Sequence, residues 1–186
     1  MRIKICGLSR MEDIEAVNAA MPDFAGFVFA PSKRQVSFIQ AAALRAKLAD
    51  GIIPVGVFVN EHPKLIQLLH HYGSIDIAQL HGEEDEEYIA NLGVPCIKVF
   101  KDTKAQPTAA EMVLLDSGAG SGQTLDWRAV QAPDKLWFLA GGIDLSNIER
   151  AMRLRPFAVD VSSGAETNGK KDAEKILQLV RLAHNS

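Results

Sequence analysis

The sequence predicts a compact, single-domain (β/α)8 barrel over residues 1–186, with some of its helices shortened. Three observations predict it. Eight apolar segments of strand length alternate with segments of helical pattern. Several of the eight are apolar at nearly every position, as strands covered on both faces are. Polar or glycine-rich turns follow strand after strand, which is where barrel enzymes display their chemistry. Length pulls the other way, since such barrels typically run to about 250 residues and rarely fewer than about 200. An open doubly wound sheet is the competing architecture.

The strand segments are 3–6, 24–29, 53–58, 75–80, 95–100, 112–115, 136–140 and 157–161. The first helical segment, 11–20, carries Ile14, Val17 and Asn18 at helical spacing, with Ser9 as its cap. The second, 40–49, is rich in Ala and Leu. The third, 63–71, sets Leu65, Leu68 and Leu69 on one stripe. The fourth, 83–92, opens on Glu83, Glu84, Asp85 and Glu86, acids that suit a helix N-terminus. The acidic run from Glu83 to Glu87 reads as a solvated face. Segments 144–154 and 172–184 complete the set. The chain economises between Phe100 and Met112, where Pro107 and a polar stretch leave little room for a helix, and again between Asp126 and Pro133.

Bulk properties exclude several function classes. At 47% hydrophobic and 23% charged, the chain can build an ordinary globular core. Net charge is −3 with both signs mixed, and no basic tract or aromatic-plus-basic array points to nucleic acid. No apolar stretch reaches the roughly 18 residues of a membrane span, and no long apolar core follows Arg2, so no signal peptide is expected. Two cysteines, Cys6 and Cys96, fit a reducing cytoplasm better than a disulfide framework. The strand ends lack the histidine and paired-carboxylate clusters that would hold a metal. His70-His71 closes a helix, where cations are favourable.

The strand ends hold the candidate chemistry. The first strand ends in Cys6-Gly7, a thiol at a turn that either does chemistry or fills space. The second runs into Ser32-Lys33-Arg34, the third ends in Asn60, and the fourth in Gln79-Leu80-His81-Gly82. The sixth ends in Asp116-Ser117 and leads through glycines to Asp126. The seventh ends in Gly141-Gly142, followed by the capping residues Asp144, Ser146 and Asn147, and the eighth in Asp160-Val161-Ser162-Ser163-Gly164. On adjacent strands, these last two turns offer amides and hydroxyls to a phosphate. Either alone reads better as a tight turn and caps, and the two together reverse that reading. Alternation along the first strand sets Lys4 and Cys6 on one face, opposite Ile3 and Ile5. The aliphatic pair belongs against helices, which leaves Lys4 and Cys6 inside. Asp160 alternates with Val159 and Val161 and points inward from the neighbouring strand. A buried Lys4–Asp160 pair below Cys6 follows, with the ammonium favouring the thiolate.

These motifs resemble the phosphoribosylanthranilate isomerase family over nearly the whole chain. The resemblance rests on Lys4-Ile5-Cys6-Gly7, Gly26-Phe27-Val28-Phe29, Ser32-Lys33-Arg34, the run from Val55 to Asn60, Gln79-Leu80-His81-Gly82-Glu83, Leu115-Asp116-Ser117, Asp126-Trp127, Ala140-Gly141-Gly142 and the run from Asp160 to Gly164. It implies a small (β/α)8 barrel and an Amadori rearrangement that needs no metal or redox cofactor. Cys6 is then the general base and Asp126 the general acid. Arg34 contacts the anthranilate carboxylate, and Gly141, Gly142, Ser162, Ser163 and Gly164 hold the phosphate. His81 and Asp160 complete the expected substrate-binding set. The expected partner is a small phosphorylated substrate, with no nucleic acid or membrane, for a cytoplasmic monomer or homodimer. Asp126 also reads as a cap of the following helix, Arg34 as a solvated loop cation, and His81 as a packed histidine. Gln123, Leu125 and Asn168 stand where the family commonly has lysine, phenylalanine and proline. Another phosphosugar isomerase or epimerase, or a non-catalytic phosphate-ligand module, are the alternative functions.

Overall fold

The computed structural model describes residues 1–116 and 127–186. Eight parallel strands close into a barrel in chain order: β1 (Arg2–Cys6), β2 (Phe24–Val28), β3 (Ile53–Phe58), β4 (Ile77–Leu80), β5 (Cys96–Phe100), β6 (Met112–Asp116), β7 (Leu136–Ala140) and β8 (Ala158–Val161). Closure rests on β1 pairing with β8, in a register that sets Lys4 against Asp160. The open-sheet alternative is thereby excluded. A two-stranded hairpin, β9 (Glu166–Thr167) and β10 (Lys170–Lys171), follows β8.

Helices α1 (Met11–Ala20), α2 (Phe38–Arg45), α3 (Pro63–His71), α4 (Glu86–Leu92), α5 (Ile148–Met152) and α6 (Ala173–His184) wrap the outside. The two expected economies are present. The residues between β5 and β6 form no helix, and among the described residues between β6 and β7 the helical structure is one 3-10 turn, Trp127–Ala129. A barrel below the usual length is reached by shortening connections on one side.

Caps correct several helix boundaries. Ser9 does not cap α1. Arg10 holds the cap position, and buried Asp13 turns back to accept from the backbone N–H groups of Ser9 and Arg10. Ser37 caps α2 through the Gln40 N–H, so that helix starts earlier than residue 40 and ends at Arg45. Asp85 caps α4 through Tyr88, which leaves Glu83 and Glu84 outside the helix. Asp172 caps α6 through Glu174 and Lys175. On α3 the buried stripe is Ile66 and Leu69, while Leu68 is half exposed. Four aliphatic residues there spread over two faces, and docking on the barrel selects between them.

Alternation divides the core in two. Ile3, Ile5, Val159 and Val161 pack outward with the helices. Phe24, Val55, Ile77, Ile97, Leu114, Phe138 and Ala158 fill the barrel. Phe24 and Phe138 meet edge to face at 5.3 Å, and Phe157 packs beside both, tilted to Phe24 and edge to face with Phe138. Each such ring contributes roughly 1.5–3 kcal/mol by leaving water. Arg2 covers the Phe157 ring at 4.4 Å, so the end of the barrel where the strands begin is an apolar plug. Lys4 is fully buried above it, its ammonium 2.9 Å from Asp160 Oδ2.

Removing one member of this pair strands the other charge in the core. Lys4→Met is therefore expected to cost ~3–5 kcal/mol in urea unfolding, and Lys4→Met with Asp160→Leu to recover most of it. A single variant as stable as the parent would show that the pair is not buried in this way.

Candidate active site

Cys6 is the last residue of β1, one inward position above Lys4. Its space comes from β2, where Gly26 sits in register with it. A Cβ at Gly26 would fall 2.8 Å from the sulfur, so a side chain there would displace the thiol. Gly7 then turns the chain at φ +83°, with its amide and that of Leu8 donating to the Gly26 carbonyl. The stem of Arg34 lies across Gly7, 2.3 Å from where a Cβ would stand. Glycine is required at position 7 both for its dihedral and for the arginine that crosses it.

Two opposite charges meet beneath the thiol. Burial alone would lower the Lys4 pKa, but Asp160, and after it Cys6, outweigh this and hold the ammonium above its ordinary value. Burial pushes the Cys6 thiol up, Lys4 draws it down, and Asp160 pushes it up again; the net direction is upward. Sequence parity placed the ammonium correctly, but the expected thiolate-favouring effect of Lys4 is overcome by desolvation. The resting group is a neutral thiol.

Around Cys6 opens a cavity of about 340 Å³ at the C-terminal end of the strands. It is lined by Arg34, Gln79, His81, Asp116, Gly141, Gly142, Asp160, Ser162 and Ser163 among others. Gln79 Oε1 and Asp160 Oδ1 are buried acceptors with no partner among the described residues. His81 Nε2 lies 3.6 Å from Asp116 Oδ2, beyond a normal hydrogen bond. Burial lowers the His81 pKa against the pull of Asp116, so its ring is neutral near pH 7.

Two buried carboxylates brace the rim. Glu84 accepts from the amides of Asn60 and Gly82 and from Lys98 Nζ at 3.0 Å, tying the turns after β3 and β4 to the middle of β5. Glu84 alone departs from the reading of residues 83–87 as a solvated face; Glu83, Asp85, Glu86 and Glu87 are exposed. Glu166 binds Arg34 through both oxygens, at 2.6 Å to Nε and 3.0 Å to Nη2, and accepts from Lys171 Nζ at 2.8 Å. Arg34 is thus no solvated loop cation. Lys171 also donates to the Ser162 carbonyl at 2.9 Å.

The turns after β7 and β8 interlock. Gly141 and Gly142 both have positive φ. Asn147 does not cap α5 by side chain; its Oδ1 accepts from the Asp144 amide and its Nδ2 donates to the Gly142 carbonyl. Asp144 accepts from the amide and hydroxyl of Ser146. Gly164 passes so close that a Cβ would lie 1.9 Å from the Ile143 carbonyl oxygen. Of the expected site residues, Cys6, Arg34, His81, Gly141, Gly142, Asp160, Ser162 and Ser163 line the one cavity, and Gly164 holds its two turns together. Asp126 lies outside the described residues. Gln79, Glu166 and Lys171 were given no role from the sequence. The Asn168-Gly169 dipeptide was the available signal for the last two. It is a hairpin turn with φ +53° and +75°, a conformation proline cannot adopt, and it sets Lys171 opposite Glu166. Among the described residues no cluster of three His, Cys, Asp or Glu is arranged to hold a metal ion, and no helix is long and apolar enough to cross a membrane.

A closed (β/α)8 barrel with its titratable groups gathered in a cavity at the strand C-termini has the architecture of a barrel enzyme. Comparison with known proteins gives the family. Residues 3–181 match the family model for N-(5'-phosphoribosyl)anthranilate (PRA) isomerase. The Lacticaseibacillus casei protein of that name is 47% identical, over 97% of this chain and 94% of its own. The crystal structure of phosphoribosyl anthranilate isomerase from Thermus thermophilus covers both chains completely, with a TM-score of 0.88 at 37% identity. A second solved phosphoribosyl anthranilate isomerase, in complex with reduced 1-(o-carboxyphenylamino)-1-deoxyribulose 5-phosphate, covers both chains completely with a TM-score of 0.82 at 32% identity. The chain belongs to the phosphoribosylanthranilate isomerase family.

The close approach at Gly164 is directly testable. Gly164→Ala is expected to lower stability by ~1–3 kcal/mol through overpacking and to weaken binding of a phosphorylated product analogue in calorimetry. Unchanged stability and affinity together would show that the two turns need no such contact.

Proposed function

We propose that the protein catalyses the Amadori rearrangement of N-(5-phosphoribosyl)anthranilate to 1-(2-carboxyphenylamino)-1-deoxyribulose 5-phosphate in tryptophan biosynthesis, by general acid–base catalysis. The observation that carries the site assignment is the position of Cys6, a thiol over a buried ion pair in the cavity that the β7 and β8 turns rim. Family membership supports the reaction, and the chemistry of the lining supports the roles.

In this reading Gly141, Gly142, Ser162 and Ser163 receive the phosphate, and Gly164 keeps their turns in contact. Asp160 Oδ1 and Gln79 Oε1, the two unsatisfied acceptors, suit sugar hydroxyls. His81, neutral, borders the same space. Arg34 takes the anthranilate carboxylate. Asp126 protonates the furanose ring oxygen, and the C1–O bond opens to a protonated Schiff base. Cys6 as thiolate removes the proton from C2, giving an enolamine; the C2 hydroxyl then gives up its proton and C1 gains one, leaving the ketone. Only protons move. A base with a raised pKa is ionised in a smaller fraction of molecules but binds the C2 proton more strongly once ionised. Lys4 offsets part of that ionisation cost.

We take the protein as a monomer or a homodimer; a solved relative from Thermotoga maritima is a dimeric phosphoribosylanthranilate isomerase from which monomers were generated. We take residues 1–186 as one domain, and two buried, unpaired cysteines support a reducing cytoplasm.

Cys6→Ser and Asp126→Asn are each expected to lower turnover by roughly 10²–10⁴-fold in a fluorescence assay of phosphoribosylanthranilate loss, while both still bind the reduced product. Full turnover in either variant would overturn the mechanism. Loss of product binding by the parent would favour a different phosphosugar substrate.

A further inference from the structure

The guanidinium of Arg34 has two usable edges. Glu166 occupies the inner one, Nε with one Nη2 hydrogen, bidentately. No other acceptor among the described residues bonds the guanidinium, so Nη1 and the second Nη2 hydrogen remain to bind a planar carboxylate. Arg34 lines the Cys6 cavity, whereas Glu166 does not.

Glu166 itself is fixed from behind. The hairpin of β9 and β10 sets it opposite Lys171, whose ammonium bonds both Glu166 Oε1 and the carbonyl of Ser162 in the β8 turn. Its backbone carbonyl accepts from Lys175 at 2.7 Å, which ties the hairpin to α6. Burial would raise the Glu166 pKa, but Arg34 and Lys171 outweigh it and bring it to about 2, so the carboxylate is charged throughout the working range. A carboxylate held by two cations and a hairpin is a fixture, costly to displace. It differs in this from a flexible acid that would compete with a substrate for the arginine.

We propose that Glu166 is a positioning residue for substrate binding: it holds the inner edge of Arg34, and Lys171 links this mount to the phosphate turn at Ser162, so that the carboxylate and phosphate contacts of the substrate are set at a fixed separation. The proposal rests on the reading of Arg34 as the anthranilate contact. Its chemical consequence is selective. Loosening Glu166 harms recognition of a substrate that carries an aryl carboxylate and spares one that does not.

The test compares phosphoribosylanthranilate with the analogue in which aniline replaces anthranilate, using the full chain with Glu166→Gln and Arg34→Ala. Glu166→Gln is expected to raise KM for phosphoribosylanthranilate about 10-fold, with kcat changed by less than about 3-fold, and to raise KM for the aniline analogue by less than about 3-fold, the part that reaches the phosphate turn through Lys171. Thermal unfolding checks that each variant is folded. A Glu166→Gln enzyme with unchanged or lowered KM for phosphoribosylanthranilate overturns the proposal, the lowered value marking Glu166 as a competitor. Equal loss on both substrates overturns it too, in favour of general damage to the loop. If Arg34→Ala discriminates between the substrates and Glu166→Gln does not, the proposal alone fails. If Arg34→Ala does not discriminate, the reading of Arg34 fails and the proposal with it.

Discussion

The ion pair between Lys4 and Asp160 is the constraint from which the site follows. Taking either charge out of water costs several kcal/mol, so each is tolerable in the barrel only against the other. Their contact at 2.9 Å is made across the β1–β8 seam that closes the barrel, and it fixes the register there. That register puts Cys6 one inward step above the ammonium, at the floor of the cavity. Gly26 on β2 then leaves the sulfur its room, and Gly7 turns the chain away beneath Arg34. The apolar plug of Phe24, Phe138 and Phe157 closes the other end, so the polar end is the one available for a ligand.

Above the strands the structure uses the same device twice more. Glu84 with Lys98 gathers the loops after β3 and β4 onto β5, and Glu166 with Arg34 and Lys171 gathers those after β2 and β8. In each case a mostly buried carboxylate accepts from cations or amides on different loops. Such braces cost desolvation, and their return is geometry: loops otherwise free to move are held relative to one another. The barrel supplies the rigid floor and these two carboxylates hold part of the rim.

Much of this was legible in the sequence, for physical reasons. Strand parity has a period of two, so Ile3 and Ile5 outside forced Lys4 and Cys6 inside, and Asp160 followed from Val159 and Val161 in the same way. The glycine and serine turns announced themselves because few other residues permit such backbone approach. What the sequence hid depends on distance or on balance. Glu166 and Arg34 are 132 residues apart, and nothing local in either segment names the other. Glu84 lay in a run of acids whose neighbours are solvated, and only the fold brings Lys98 to it. The α3 stripe failed because four aliphatics fit two faces. The pull of Lys4 toward the thiolate was legible, but the net direction of the Cys6 shift was not, because it is a difference between opposing effects. Lys4 was visible in sequence, but the depth of burial that outweighs it was not.

Chemistry at this site therefore turns on the protonation of one thiol. It is most directly tested by following thiolate absorbance in the ultraviolet against pH, taking the difference between the parent and Cys6→Ser so that Cys96, which burial pushes up to about 12, cancels. The account predicts that Cys6 titrates above the ordinary cysteine range and is a neutral thiol near pH 7. A thiolate already formed at neutral pH would contradict it, and would mean that Lys4 rather than burial governs the site.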